Sequence, residues 1–454
     1  MNKSASLDLT TGSIPRLLVR FSIPFLIANL LQSVYSLVDM VIVGQLMGSI
    51  GLAGVSTAST VTSLFTTIGT GLSMGGQIIL AQYQGAGDRQ GQKETIGTMF
   101  TSMLIMSVVI PIVCFFFGHP ILGLMNTPEE AYTETWNYFI VCACGTVFIF
   151  GYNAVCAVLR GMGDSTRPMI FVGIASAANI VLDILFVGPF NWGAGGAAAA
   201  TALSQGVSFA CSLVYLLKRK EGFVFDFKLS SFKIVGKRLK MILKVGIPLA
   251  LQFSVLMISM MFVMSIVNSF GVTSAAAYGV GGKISGFATI PVYAFSSAAS
   301  TMVGQNIGAG NIKRAKDTVN WTVGMLLVIE GIVFLVTQLI PGPLVKLFNN
   351  DPEVVEIGIQ YLRIMSFTFI AHCFLDGYTS IANGVGYSML ALISVAFDGV
   401  VLRVGLSYLF AIVLEMGITG VFIGGAVAPF GAAAICAFYF FSGRWKKRSL
   451  VEKA

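Results

Sequence analysis

Apolar stretches long enough to cross a bilayer follow one another from residue 16 to residue 443, and nothing between them is long or polar enough to form a water-soluble domain. Few folds tolerate that pattern. Only 11% of the 454 residues are charged and 56% are hydrophobic, with a mean hydropathy of +0.84. A soluble domain carries about a quarter charged residues, so this chain cannot cover a water-facing surface and reads as an integral membrane protein. Alternation at strand spacing is absent, which selects helices over an outer-membrane barrel. The reading is an all-α membrane protein with about 12 spans, near 16–44, 52–84, 93–118, 131–160, 167–188, 194–217, 241–269, 275–307, 317–340, 353–383, 388–413 and 418–443. Met1 to Ser13 is polar and lacks the pattern of a cleaved signal, so the first span is expected to be retained.

The chain also repeats itself. Gln82-Tyr83-Gln84-Gly85-Ala86-Gly87-Asp88 returns 223 positions later as Gln305-Asn306-Ile307-Gly308-Ala309-Gly310-Asn311. Arg160-Gly161-Met162-Gly163-Asp164-Ser165 returns at the same offset as Asn383-Gly384-Val385-Gly386-Tyr387-Ser388, and Ser22-Ile23-Pro24 returns one position later still as Gly246-Ile247-Pro248. Two homologous halves are implied, each too long for a solenoid repeat. An even number of spans per half gives both halves the same orientation, so the repeat is parallel, a pseudo-two-fold about the membrane normal; secondary transporters are built this way. The expected domains are a six-helix lobe over 1–220, a basic cytoplasmic linker over 221–240 and a second six-helix lobe over 241–454.

The net charge of +8 does not call for nucleic acid. Basic residues alternate loop by loop: Arg16 and Arg20, then Arg89 and Lys93, then Arg160 and Arg167, then a long run from Lys218 to Lys244, then Lys313, Arg314 and Lys316, then the tail from Arg444. The intervening loops hold almost none, with Lys346 the exception. The positive-inside rule places both termini in the cytoplasm.

Several chemistries are missing. Gly281-Gly282-Lys283-Ile284 lacks the earlier glycine and the hydroxyl residue of a phosphate loop, so ATP is not the expected energy source. The seven cysteines lie in apolar runs without a C-x-x-C pair, and His119 and His372 are far apart in sequence. No enzyme, no metal site and no cofactor are expected beyond a coupling H⁺ or Na⁺.

The acids are informative because a carboxylate at mid-membrane costs a few kcal/mol. Asp39 and Asp183 both lie inside apolar runs, and Asn179 precedes Asp183 by one turn on the same face. At about 1.5 Å per residue, Asp39 lies roughly 8 Å below the outer end of its span, with Asp183 and Thr201 about level. These oxygens suit a proton or a hard monovalent cation, and two close carboxylates titrate as one unit. The plain alternative is that they merely hydrogen-bond neighbouring helices. The twin half argues against a structural need: its equivalent positions are Phe262 or Val263 and Leu406 or Ser407. That half is expected to bury charges of its own at Glu330, Arg363, Asp376, Asp398 and Arg403, of which Asp376 is the candidate to meet a cationic substrate.

These residues resemble a family. Ile23-Pro24, then Gln32, Tyr35, Val38-Asp39 and Val43-Gly44, then the duplicated glycine loops, make the chain similar over nearly its whole length to multidrug and toxic compound extrusion (MATE) transporters of the prokaryotic DinF-like branch. The resemblance implies two six-helix lobes around a central cavity and export of amphiphilic, often cationic organic compounds in exchange for H⁺ or Na⁺ as the lobes rock. It assigns cation coupling to Asp39, Asp183, Asn179 and Thr201, cavity lining to Gln32, Tyr35 and Asn153, and bending of the first span to Pro24. NorM-like members carry a helix 7 glutamate where this chain has Leu256. The expected partners are small organic substrates and lipid, with the chain acting as a monomer. The competing reading is a flippase for a lipid-linked precursor, whose relatives have more spans and a cationic cavity.

Overall fold

The computed structural model describes residues 7–125, 127–218 and 224–451. Lys3, Arg219, Lys220 and Lys453, and the start of the expected 221–240 linker, lie outside the described residues. With no water to satisfy backbone groups in lipid, the apolar runs form helices, the one local structure that closes all its own hydrogen bonds. In chain order these are α1 (Ile14–Ala86), α2 (Arg89–Leu124), α3 (Glu129–Gly161), α4 (Thr166–Val187), α5 (Gly193–Lys218), α6 (Gly236–Asn268), α7 (Val272–Ala288), α8 (Ile290–Gly308) and α9 (Ile312–Leu339). The short α10 (Pro341–Lys346) precedes α11 (Pro352–Met365) and α12 (Phe367–Gly384). Then come α13 (Ser388–Ala396), a π-helical segment Phe397–Val404, α14 (Gly405–Tyr408), a second π segment Leu409–Val413, and α15 (Gly417–Phe441).

Among the described residues, eleven helical segments are long and apolar enough to cross a membrane. The remaining expected span, the eighth at 275–307, is divided at Thr289 between α7 and α8, where Pro291 enters the first turn of α8 without an N–H to continue the ladder. The first two expected spans are one 73-residue run, α1, broken only at Gly48 (φ 66°, ψ −159°). Pro24 sits inside α1 without interrupting it.

The duplicated glycine motifs turn out to be helix C-caps. In each, a glycine with φ between 69° and 92° follows the last turn: Gly87, Gly163, Gly310 and Gly386. The next residue's N–H reaches five residues back: Asp88 to Tyr83 O (3.1 Å), Asp164 to Leu159 O (2.8 Å), Asn311 to Asn306 O (2.8 Å) and Tyr387 to Ala382 O (2.7 Å). The glycine N–H reaches three back in all four cases. This is the Schellman arrangement, and only glycine adopts its left-handed φ without a Cβ penalty. The sequence echo is therefore the same stop signal written twice in each half.

Two compact units emerge, the first on Ile23–Ala250 and the second on Leu251–Ala454 together with Leu9–Ser22. The division falls inside α1 and α6, beside Pro24 and Pro248, rather than in the basic linker. In the second unit, the Leu9 N–H donates to Gln305 Oε1 (3.3 Å), Asn306 Nδ2 donates to Leu9 O (3.1 Å), and Arg314 holds the carbonyls of Thr11 and Gly12.

Within the first unit α5 packs on α3 and α4, and α2 on α3. Glu134 of α3 fixes the start of α5 by accepting the Ala194 N–H (2.7 Å). Residues 224–235 are tied to α2: Thr101 Oγ1 donates to Phe232 O, the Val235 N–H donates to Thr98 Oγ1, and Lys93 pairs with Asp226 at 2.8 Å. Arg238 pairs with Glu94 at 3.0 Å and also contacts the Tyr83 hydroxyl. Within the second unit α12 is central, packed on α8, α9 and α15. There α15 closes on the segment before it through glycines. A Cβ on Gly424 would stand 2.5 Å from Ser407 N, and one on Gly420 2.5 Å from Ala411 N. Small residues permit such backbone approach in lipid, where no hydrophobic force pulls helices together.

Two outcomes follow from this packing. Gly424→Val should destabilise the detergent-solubilised protein by about 1–3 kcal/mol, read as a lowered thermal midpoint. The Lys93 ammonium holds the Asp226 carboxyl below the usual carboxylate range, with help from Ser231. A lowered folded-state value means that this anchor is fully present above the ordinary carboxylate range and is lost only as pH falls to the lower folded value. Hydrogen exchange of residues 228–235 should therefore stay slow through mildly acid pH in the natural chain and be fast at neutral pH in Asp226→Asn.

Candidate cation-coupling site

Three elements of the first unit bring the expected residues together. Asp39 lies half-buried on α1, between the Pro24 turn and the Gly48 break. Asp183 is fully buried on α4, one turn after Asn179, which is 2% exposed. Thr201, half-buried on α5, accepts a hydrogen bond from Asn179 Nδ2 at 3.4 Å. The Asn179 amide is also close enough to act on the Asp183 carboxyl. Because α4 and α5 pack along their length, the amide and hydroxyl face each other beside Asp183.

The two carboxyl groups stand within hydrogen-bonding reach of each other. Yet neither oxygen of Asp183, nor Oδ1 of Asp39, nor Oδ1 of Asn179 has a donor among the described residues. Two carboxylates offer only acceptors. A contact between them needs a proton on one or a cation between them, since buried like charges cannot both stay bare. No cluster of three or more His, Cys, Asp or Glu able to hold a metal ion occurs among the described residues.

The surroundings extend the set. Tyr35 is within reach of Gln32, and both Asp39 and Asp183 act on it electrostatically. Tyr138 and Cys142 of α3 adjoin each other and Asp39. Sequence reasoning missed these two: an aromatic and a thiol inside an apolar run carry no signal until α3 is packed. Asn153 is half-buried on α3, and no hydrogen bond joins it to the acid pair. Pro24 is buried, with Arg160 stacked over the ring of the adjacent Phe25 at 4.7 Å.

In the second unit the twin positions hold no acid. Val263 is buried, Phe262 exposed, and Ser407 donates to Val421 O at 3.4 Å. Asp376 is half-buried on α12 and pairs with His372 at 3.0 Å. Arg403 pairs with Asp398 at 3.0 Å, both buried. On an α-helix, residues five apart point about 140° away from each other. The π-helical turn over 397–404 brings them onto one face. Arg363, expected to be buried, is instead exposed in the last turn of α11, because the apolar face of that helix turns the other way, onto Val354, Tyr361 and Leu362.

A duplicated, all-helical half with unpartnered acids inside it defines an integral membrane transporter. The chain belongs to the MatE family, whose model matches residues 24–185 and again 248–409. Both ends of the second match are displaced from the first by 224 residues, within one residue of the spacing of the repeated motifs. A probable multidrug resistance protein, YpnP of Bacillus subtilis (strain 168), is 32% identical over 449 residues, covering 98% of each chain. Crystal structures of MATE in the straight and in the bent conformation match at 26% identity, with TM-scores of 0.91 and 0.90. They cover 97% and 96% of this chain and 98% and 96% of the solved ones.

Proposed function

We propose that this protein is a cation-coupled multidrug efflux transporter of a prokaryotic plasma membrane, with both termini in the cytoplasm. Its cargo is amphiphilic, often cationic organic molecules, exchanged for H⁺ or Na⁺ at Asp39, Asp183, Asn179 and Thr201. The observation that supports this reading is the acid pair: two facing carboxyl groups whose missing donor is what a coupling cation supplies. Relatives named as multidrug resistance and multidrug export proteins support the substrate class.

The exchange follows from charge. With a single proton shared between the two carboxyls, the pair keeps one negative charge and favours a cationic drug. When a proton or Na⁺ arrives from outside, the pair is neutralised and that attraction ends. The drug leaves outward, the protein reopens inward, and the cation departs into the cytoplasm. One pH unit supplies about 1.4 kcal/mol per proton, and 100 mV adds about 2.3 kcal/mol per net charge moved inward; the two add to a roughly hundredfold drug gradient when the cargo is neutral or two cations enter per cationic drug, and one-for-one exchange against a monovalent cation leaves about tenfold per pH unit. Pro24 removes one rung of α1 below Asp39 and weakens the ladder there, so the helix that carries the acid is the one that can bend. Gln32 and Tyr35 line the approach. An acidic pocket repels a diphosphate, so the flippase reading gains nothing from this site.

In liposomes holding the full-length protein, efflux of a fluorescent cationic dye should follow an imposed pH or Na⁺ gradient. Whichever ion drives it is the coupling ion. Asp39→Asn should insert and melt like the natural chain but lose gradient-driven efflux, falling to the rate of protein-free liposomes. Undiminished efflux from that variant would contradict the proposal.

A further inference from the structure

Glu330, near the middle of α9, is fully buried, and neither of its carboxyl oxygens has a hydrogen-bond partner among the described residues. A carboxyl group left so in lipid costs several kcal/mol unless it carries a proton. Asp376 of α12, which packs on α9, is close enough to act on Glu330 electrostatically, and Cys373 of α12 is close to both acids. Asp376 in turn pairs with His372, Nδ1 to Oδ2 at 3.0 Å, with the two side chains 30% and 26% exposed. A partly exposed carboxyl, joined to an imidazole, thus neighbours a buried, orphaned carboxyl.

We propose that Glu330, reached through His372 and Asp376, is a second protonation site, contained wholly in the second unit. It lies in a different place from the helix 7 glutamate of NorM-like members, whose position here is Leu256. A proton fits the geometry better than a metal ion, because these groups do not converge into a three-ligand cluster. A proton needs only one acceptor at a time and can pass from the exposed pair to the buried acid.

The other neighbours do not offer Glu330 a permanent counter-charge. From α8, Ser296 donates to the Asp376 carbonyl at 2.9 Å, and the helix carries no acid, lysine, arginine or histidine, only Tyr293 at its start. From α15, Cys436 is close enough to feel the charge of Asp376 and is hydrogen-bonded to Ser394 and Thr379. α13 has no titratable side chain, and the Asp398–Arg403 pair beyond it is closed on itself. α10 and α11 meet the far end of α9, where Gln338 donates to the Arg363 carbonyl, eight residues and so about 12 Å beyond Glu330. Lys316 and Asp317 of α9 lie about 20 Å the other way.

The duplication supplies a control. At the 223-residue offset, Glu330 corresponds to Ser107 and Asp376 to Asn153, both uncharged. The helical half folds without these acids, as it folds without Asp39 and Asp183 in the second unit. Each unit thus carries its own acids at positions its twin leaves neutral.

The inference rests on the proton-coupled form of the proposed function but is tested apart from it. Infrared difference spectra of the full-length protein in liposomes, stepped from alkaline to acid buffer, read the C=O band of protonated carboxyl groups. Part of the pH-dependent band should vanish in Glu330→Gln and persist in Asp39→Asn/Asp183→Asn. His372→Asn should displace the pH midpoint of that same part by roughly half a unit or more. A Glu330→Gln spectrum identical to the natural one, or a Glu330 band that no pH step changes, would overturn the proposal. Should Glu330→Gln fail to fold, His372→Asn and Asp376→Asn decide: a midpoint unmoved in both overturns it. Loss of pH response at Asp39 and Asp183 with the Glu330 band intact would sink the first site and leave this one standing.

Discussion

A buried carboxyl group with no donor is the constraint on which this structure turns. The lipid phase offers no water to repair it, so the protein must supply a partner or a mobile ion must. At Asp39 and Asp183 the protein supplies an amide and a hydroxyl nearby, but no donor to either oxygen of Asp183. Elsewhere it does close its charges: Arg403 with Asp398, Arg238 with Glu94, Lys93 with Asp226. The contrast separates groups held for structure from groups left open. The same contrast marks Glu330, among the described residues a fully buried acid with both oxygens unpartnered.

Much of the fold was legible because lipid simplifies the code. Apolar runs of sufficient length must be helices, and the spans near 93–118, 131–160 and 194–217 sit inside α2, α3 and α5. What periodicity could not show was how the runs are joined. Gly48 breaks α1 without ending it, and Pro291 divides a span that hydropathy reads as one. The π turns around Asp398 and Arg403 were equally hidden, since a five-residue spacing reads as two faces on an α-helix. The repeated glycine motifs were recognised as a duplication, but their physical content as Schellman caps became visible only from the hydrogen bonds.

The acid pair was legible for another reason. Charge is so scarce in this chain that two aspartates in apolar runs stand out unaided, and helix rise alone puts them level with Thr201. Tyr138 and Cys142 had no such contrast, and neither did the approach of Asp376 to Glu330, which depends on how α9 packs on α12. Arg363 was misjudged because a charge near an apolar run need not point into it; α11 is amphipathic, and its arginine lies on the outer face.

The central claim is that a cationic drug and a coupling cation compete for the charge of Asp39 and Asp183. Reciprocal linkage makes that claim measurable at equilibrium. The dissociation constant of a cationic dye for the purified protein, measured across pH and Na⁺ concentration, should rise as protons or Na⁺ are added. In Asp39→Asn/Asp183→Asn that dependence should largely disappear. A natural protein indifferent to both ions, or a double variant that keeps the full dependence, would contradict the account.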